Sequence, residues 1–423
     1  MSSIWPSSED LARILPARDG VTIHVLKADE VDDFVADLGR WYGALAVTSE
    51  AQMLDPSFFY QHAIRRANTE PSLLVLIAWV EGVRSAVTML ELDPVTGGLL
   101  GRFCTVDPAC RGRRLASLLV EAQVEIAHAI GAPHTHALTE LNNQAAGNAF
   151  VRHEFDVVAL YPASETKRVQ GVVRYVHEVL FLLSLRDGRL KQPVPANLHP
   201  ATAALYQRRV MGMGDAPAMV KGANRAPMQS FPPTTGRWPK DLKDSARWFE
   251  PGAPLPNSIH GWARWAFSRT APSVHEWLAR MSESRDGDGS DAPSYHTLLW
   301  LDNGQVVGLL GLGRDPTGEW MGVHVAATAP DYEAVALPML QQVGSIAAAI
   351  GVRQVQLRTA LSDAYHQQAA ELAGLRVMGI LPADKTGEWE TLQILSLVPG
   401  ENLNVPPMET MLPEVARFVA GLI

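Results

Sequence analysis

The sequence predicts an α/β fold that occurs in two tandem copies, and three observations carry that expectation. Strand-length apolar runs alternate with stretches of helical periodicity between about residues 31 and 185. The same order of elements returns in the second half of the chain. Between one strand and one long helix lies a tight basic loop, Val106–Ala116, whose residue types suit a strand-to-helix junction that holds an anion.

Each element follows from a local pattern. Val31–Tyr42 and Pro56–Ala67 carry apolar residues at helical spacing. Leu73–Val80 and Arg84–Leu92 are apolar runs joined by Glu81 and Gly82, which reads as a hairpin with a short turn. Asp93–Gly98 is turn chemistry, Leu99–Val106 is the next strand, and Asp107-Pro108 breaks it. Leu115, Leu118, Leu119, Val124, Ile126 and Ile130 define one helix face, and Gly131 suits its C-cap. His134–Leu141 reads as extended, Gln144–Arg152 as helical and Phe155–Leu160 as extended, and Val176–Leu185 closes the set as a strongly apolar strand.

The internal repeat has an offset of 220. Ile126–Gly131 falls on Ile346–Gly351, and the register runs without a gap to Thr166 and Thr386, with 12 of 41 positions identical. Asp93–Gly97 resembles Asp315–Gly318, and Val176–Leu185 resembles Trp389–Val398. This divides the chain into a first domain at 1–185, a Pro-rich ordered connector at 186–255 and a second domain at 256–423. Leu198–Val210 suits a helix inside the connector. Five tryptophans between Trp238 and Trp277 suit anchors onto a core, or else a stacking surface for sugars or aromatics.

Composition narrows the function. The 423 residues hold 47% hydrophobic and 19% charged side chains, a folded-domain balance rather than a disordered one. A net charge of −9 argues against a general nucleic-acid or anionic-membrane surface, though not against a local basic pocket. Two cysteines, Cys104 and Cys110, cannot build a disulfide framework or a four-cysteine zinc site. His134 and His136 alone are too few ligands for zinc, so no metal is expected. The acidic MSSIWPSSEDLARIL start does not resemble an export signal, and apolar runs such as Leu73–Val80 are far short of a membrane span. A cytoplasmic location is the expectation.

The loop is where chemistry enters. A strand followed by a tight turn and a helix N-terminus aims several backbone N–H groups and the positive helix end at one point. Arg111, Arg113 and Arg114 add charge there, and the small residues Gly112 and Ala116 permit close approach of a phosphate or pyrophosphate. The plainer reading is a solvated basic helix end.

With these residues the sequence resembles the GNAT acyltransferase superfamily. Val106-Asp107-Pro108 and Arg111-Gly112-Arg113-Arg114-Leu115-Ala116 follow that family's acyl-CoA signature, with Arg114 in place of its first glycine. Asn143, Ala146 and Phe155 follow a second signature, with Phe150 in place of its Tyr and Glu154 in place of its Gly. The resemblance covers about residues 20–185 and implies a mixed central sheet flanked by helices, with two parallel strands, Leu99–Val106 and His134–Leu141, splayed apart around acetyl-CoA or another acyl-CoA. Cys104, Thr105 and Val106 would then bond the pantetheine arm. Arg111, Gly112, Arg113, Arg114, Leu115, Ala116 and Ser117 would hold the pyrophosphate, and Asn143, Ala146 and Phe150 would meet the cofactor from the next helix.

The implied reaction is N-acyl transfer to an amine, most simply an acetyl group to a small molecule, without a covalent enzyme intermediate. Glu140 is the candidate base and His136, on the same strand face, the second. A solvated strand end and a structural histidine are their plain alternatives. At the 220 offset the loop becomes Asp331-Tyr-Glu-Ala334, while Asp363 and Ala370 replace Asn143 and Phe150. The second copy is thus expected to be non-catalytic, with Asp331 and Glu333 either capping a helix or attracting a cationic acceptor. A monomer or homodimer is expected. A silent acyl-CoA-binding regulatory module and a protein N-acetyltransferase are the competing functions.

Overall fold

A computed structural model describes residues 4–43, 50–65, 70–94, 96–169, 172–185, 202, 246–248, 263–265, 295–303, 305–314, 319–329, 336–361, 364–383, 389–398, 403–404, 406–420 and 422. Most of the connector, including Trp238 and all of its expected helix except Thr202, lies outside these residues, as do Asp315–Gly318, Asp331–Ala334 and Asp363.

The chain opens with helix α1 (Ser8–Ile14) and strand β1 (Val21–Val25), neither of which was expected from the sequence. Ser7 caps α1 by accepting from the Asp10 N–H, a Ser-x-x-Asp cue present in the sequence. Helices α2 (Val31–Trp41) and α3 (Pro56–His62) follow, then β2 (Leu73–Val80), β3 (Val83–Leu92) and β4 (Leu99–Val106). Glu81 and Gly82 both adopt positive φ, which is what a two-residue hairpin turn requires. Helix α4 (Leu115–Ala129), β5 (His134–Glu140), α5 (Gln144–Arg152), β6 (Asp156–Val169) and β7 (Val172–Ser184) complete the first half. Gly131 ends α4 at φ +68°, the left-handed position that favours glycine after a helix.

The later elements are β8 (Ala246–Trp248), β9 (Ala263–Trp265), β10 (Tyr295–Asp302), β11 (Gln305–Arg314), β12 (Trp320–Thr328), α6 (Ala336–Ala349), β13 (Gln354–Ala360), α7 (Ala364–Leu372), β14 (Arg376–Pro382), β15 (Trp389–Ser396), β16 (Leu403–Asn404) and α8 (Pro413–Ala420). The sheet is mixed and runs β1-β2-β3-β4-β5-β7-β6-β14-β15-β13-β12-β11-β10-β8, with β9 and β16 off this path. Two details depart from the expected boundaries. Strand β8 falls inside the stretch read as connector yet pairs with β10. The C-terminal α8 returns to the first half, where Val415 and Val419 pack with Phe150, Phe155 and Phe181.

Burial follows the strand period. On one face of the first half, Leu73, Val75, Ile77, Val87 and Met89 pack under α2 and α3. On the other, Leu74, Leu76, Leu90 and Leu99 pack against Ala122 and Ile126 of α4. A further core joins the halves, with Leu180 and Leu182 of β7 against Val377, Ile380, Leu392 and Ile394. Among the described residues no helix is long and apolar enough to cross a membrane.

Candidate functional site

Strands β4 and β5 begin as parallel neighbours and then part. They pair only at Leu99↔Thr135, Leu100↔His136 and Gly101↔Ala137. Beyond that point each keeps its outer partner alone, β4 staying on β3 as far as Val106 and β5 on β7 as far as Glu140. The register on β3 shifts between Met89 and Leu90, so Arg102 is the extra residue of a bulge that turns β4 away. Arg102 is fastened there by Glu50 at 3.0 Å and Glu91 at 3.1 Å. The result is a gap whose β4 wall is Phe103–Val106 and whose β5 wall ends at Glu140. Backbone polar groups on the facing edges have no ladder partner, and an extended amide-bearing chain can satisfy them as an added strand would.

Cys104 is solvent-exposed, yet enough protein surrounds it to push its thiol up to about 12. Exposure combined with dense surroundings describes a residue lining a cleft. A thiol with so high a pKa is not a nucleophile at neutral pH.

The loop at the end of β4 is built for exposed backbone N–H groups. Asp107 accepts from the Ala109 N–H at 2.9 Å and starts one 3-10 turn, Pro108–Cys110. Arg111 is extended, Gly112 has φ +83°, and Arg114 is left-handed at φ +58° as the N-cap residue of α4. Arg18 donates to the Arg113 carbonyl at 2.8 Å and pins the loop from outside. Residues 111–114 are all exposed, and among the described residues no ion pair engages Arg111, Arg113 or Arg114. The first N–H groups of α4 also lack intrahelical acceptors. Leu115 offers only its backbone, because its side chain is buried against Ala78, Ala86 and Leu119. Ala116 is half-buried against the α4–α5 core, and the Ser117 hydroxyl lies 3.1 Å from His153 Nε2.

Two residues that replace glycines of the GNAT pattern sit where glycine is favoured. Arg114 has φ +58° and Glu154 has φ +63°. Left-handed backbone costs a non-glycine residue about 1–2 kcal/mol, offset in part by the larger unfolded-state entropy of glycine. Arg114→Gly and Glu154→Gly should each stabilise the protein by about 0.5–1 kcal/mol, read as a higher melting temperature.

On α5, Asn143 is the N-cap, its Oδ1 accepting from the Ala146 N–H at 3.2 Å. Ala146 packs partly buried on the α4–α5–α8 core. The Phe150 side chain, expected to meet a cofactor, packs into the core. The ring is buried, stacked on Phe181 at 5.2 Å and tilted against Phe155, because without a hydroxyl it gains more from the core than from the cleft.

The face of the gap under α2 is acidic. Glu140 lies directly opposite Glu178 in the β5–β7 register, and Glu178 lies opposite Tyr161 in the β7–β6 register. Directly opposed residues share a face, so the three form a row across three strands. Tyr42, just past α2, packs edge-on against Phe103 of β4 at 5.8 Å. Burial pushes its hydroxyl up to about 12, assisted by Glu140, Glu165 and Glu178. Burial likewise pushes Glu178 up to about 8, with Glu165, Glu140 and Glu319 adding to the shift and Ser164 opposing it. Neither Glu178 nor Tyr42 was picked out from the sequence.

His136 shares this face with Glu140 by strand alternation, but burial pushes it down to about 4, with Arg358 adding to the shift and Asp93 opposing it. A histidine that prefers the neutral state so strongly is a weak proton acceptor, which argues against the base role expected for it. Its Nδ1 is buried and without a partner among the described residues.

Arg353 and Glu319 of the second half form an ion pair beside this face. Arg353 also reaches Ser164 and lies over the Tyr175 ring at 4.9 Å.

The sequence model of the acetyltransferase (GNAT) family matches residues 40–155, so this stretch carries a GNAT acetyltransferase domain. No curated protein matches the chain. Solved structures similar to it include an acetyltransferase of the GNAT family from Streptococcus pneumoniae, at 18% identity over 39% of this chain and 99% of that one, TM-score 0.30. Another is the ribosomal-protein-S18-alanine N-acetyltransferase from Escherichia coli, at 13% identity over 41% and 99%, TM-score 0.32. A third is a GNAT family acetyltransferase from Elizabethkingia anophelis with acetyl-CoA bound, at 11% identity over 40% and 100%, TM-score 0.30.

Proposed function

We propose that the first half is an acyl-CoA-dependent N-acyltransferase that moves an acetyl group to an amine of a small molecule. The observation that carries this reading is the β4–β5 gap, continuous at the end of β4 with the exposed Arg111–Arg114 turn. The gap would take the pantetheine arm along Phe103–Val106, and the turn, with the first N–H groups of α4, would take the pyrophosphate. The thioester would then lie between Cys104 and Glu140, with the acceptor amine arriving from the Tyr42–Glu178 side. Polarisation of the carbonyl falls to backbone N–H groups on the gap wall. Tyr42 stays protonated at neutral pH and is the available proton donor for the departing sulfur. We place this chemistry in the cytoplasm, consistent with the free cysteines Cys104 and Cys110.

In this reading the chain is two copies of one fold, and its second copy is silent. The strand order supports it, because β14-β15-β13-β12-β11-β10-β8 traces the path β6-β7-β5-β4-β3-β2-β1. In the second copy β12 and β13 also pair in parallel for a short run, Trp320↔Gln354 to Val323↔Leu357. The edge of β12 beyond that run is paired by β9, with Trp265 opposite Ala326. The chain's own strand therefore occupies the place that a pantetheine arm would need, and one acyl-CoA per chain is expected.

The test has two steps. Acetyl-CoA should raise the melting temperature, with one equivalent bound by calorimetry. Free thiol should then appear with at least one member of a primary-amine library. Binding without thiol release from small amines or from peptides would favour the regulatory module, the reading that the missing hydroxyl at Phe150 supports. Absence of binding would remove the assignment.

A further inference from the structure

We propose that Glu178, rather than Glu140, takes the proton from the acceptor amine, and that Glu140 and Glu165 act on it as positioning residues. This rests on the N-acyltransferase reading above. Two geometric observations carry it. Glu178 stands beside Glu140, which ends the β5 wall of the gap, so its carboxylate is one strand spacing from that wall. Tyr42 packs its ring on Phe103 of β4, the opposite wall, and feels the charges of Glu140, Glu165 and Glu178.

The groups facing Glu178 come from every neighbouring element. Glu140 is on β5, Tyr161 and Glu165 are on β6, Tyr42 follows α2, and Glu319 comes from the second half. Of the nearby cations, Arg353 is ion-paired to Glu319, and Arg358 acts on His136 and Tyr161. Among the described residues, the charged groups that act on Glu178 are the carboxylates Glu165, Glu140 and Glu319. Such a site attracts a cationic amine and can also accept its proton near neutral pH. Glu140, on the gap wall itself, contributes negative charge that keeps the Glu178 carboxyl easy to protonate.

The proton balance is simple. One N–H proton of the ammonium goes to Glu178, freeing the nitrogen lone pair. The C–N bond forms as the C–S bond breaks, and a second N–H proton ends on sulfur to give the free thiol. The amide keeps the third, and Glu178 releases its proton to solvent.

The experiment uses the full chain, acetyl-CoA and whichever library amine gives the fastest thiol release. For the wild type, kcat should rise between pH 7 and pH 9, following a group of about 8. E178Q should lower kcat by about 100-fold or more, abolish that rising limb and leave the KM for acetyl-CoA within about threefold. E140Q should shift the limb to lower pH, since it removes a neighbouring negative charge. A melting control checks the fold. Folding raises this carboxyl from 4.5 to about 8, so the stability gained by keeping its proton fades as pH rises through that window. E178Q should accordingly melt above the wild type at pH 9 and level with it at pH 4. Retention of both kcat and the rising limb in E178Q would overturn this inference and leave the acyltransferase reading standing. Absence of thiol release from every amine with the wild type would overturn both.

Discussion

Gly379→Val should disrupt the sheet where its two halves meet and lower the melting temperature by several degrees. Gly379 of β14 is the residue that pairs with Ala159 of β6, and β6–β14 is the junction in the strand path. A Cβ at Gly379 would lie 2.3 Å from Ala159 Cβ, 2.6 Å from its Cα and 2.7 Å from the Val158 carbonyl oxygen. Two of those atoms are backbone within a strand that is itself paired to β7, so no side-chain rotation relieves the clash. The shared core of Val158, Leu180, Leu182, Val377, Ile380 and Ile394 must open with it. Overpacking against yielding side chains costs about 1–3 kcal/mol, and a backbone obstruction at least the upper end of that range. Thermal unfolding together with amide exchange on β6 and β14 checks this; unchanged protection on both strands would contradict it. The functional consequence is selective. Arg353 reaches the Ser164 carbonyl, and Glu319 acts on Glu178, from the far side of the junction. Residual folded protein should lose turnover while its Arg111–Arg114 loop still binds acetyl-CoA.

Local pattern makes much of the first half legible in the sequence. Strand β2, helix α5 and the start of β5 fall where their periodicity puts them, because each presents one apolar face at a fixed repeat. Short edge elements did not announce themselves. The three-residue strands β8 and β9 carry too few residues for a period, and the five-residue β1 offers only the alternation of Val21, Ile23 and Val25. The basic turn Arg111–Arg114 stands out in the sequence because its residues are contiguous. What periodicity could not supply was cross-strand register. Glu140 and Glu178 are distant in sequence and become neighbours only when β5 pairs with β7. A cue did exist, since Glu178 is an isolated carboxylate inside the apolar run Val176–Leu183. The burial of Phe150 had a cue as well, because a ring without a hydroxyl has no reason to stay in a wet cleft.

The double variant Arg111→Ala/Arg113→Ala should raise the KM for acetyl-CoA by about 10–100-fold with little change in kcat. Hydrogen bonds to charged groups contribute about 1.5–3 kcal/mol each, and exposure of both side chains places these at the low end or below. In the proposed site these arginines would meet a part of the substrate remote from the reacting carbon, so their loss should weaken binding more than turnover. Such an interaction is also screened by salt, so the wild-type KM should climb with ionic strength more steeply than that of the double variant. Arg114→Gly separates charge from backbone at the same turn. It removes one cation while giving glycine the φ +58° position, so the KM should rise by less than in the double variant even as the melting temperature rises. Acetyl-pantetheine, which has the thioester and the amide arm but no pyrophosphate, supplies the sharpest comparison. Wild type and double variant should use it with equal kcat/KM if Arg111–Arg114 holds the pyrophosphate. An equal loss with both thioesters would mean that the two arginines support the fold of the β4–α4 junction instead.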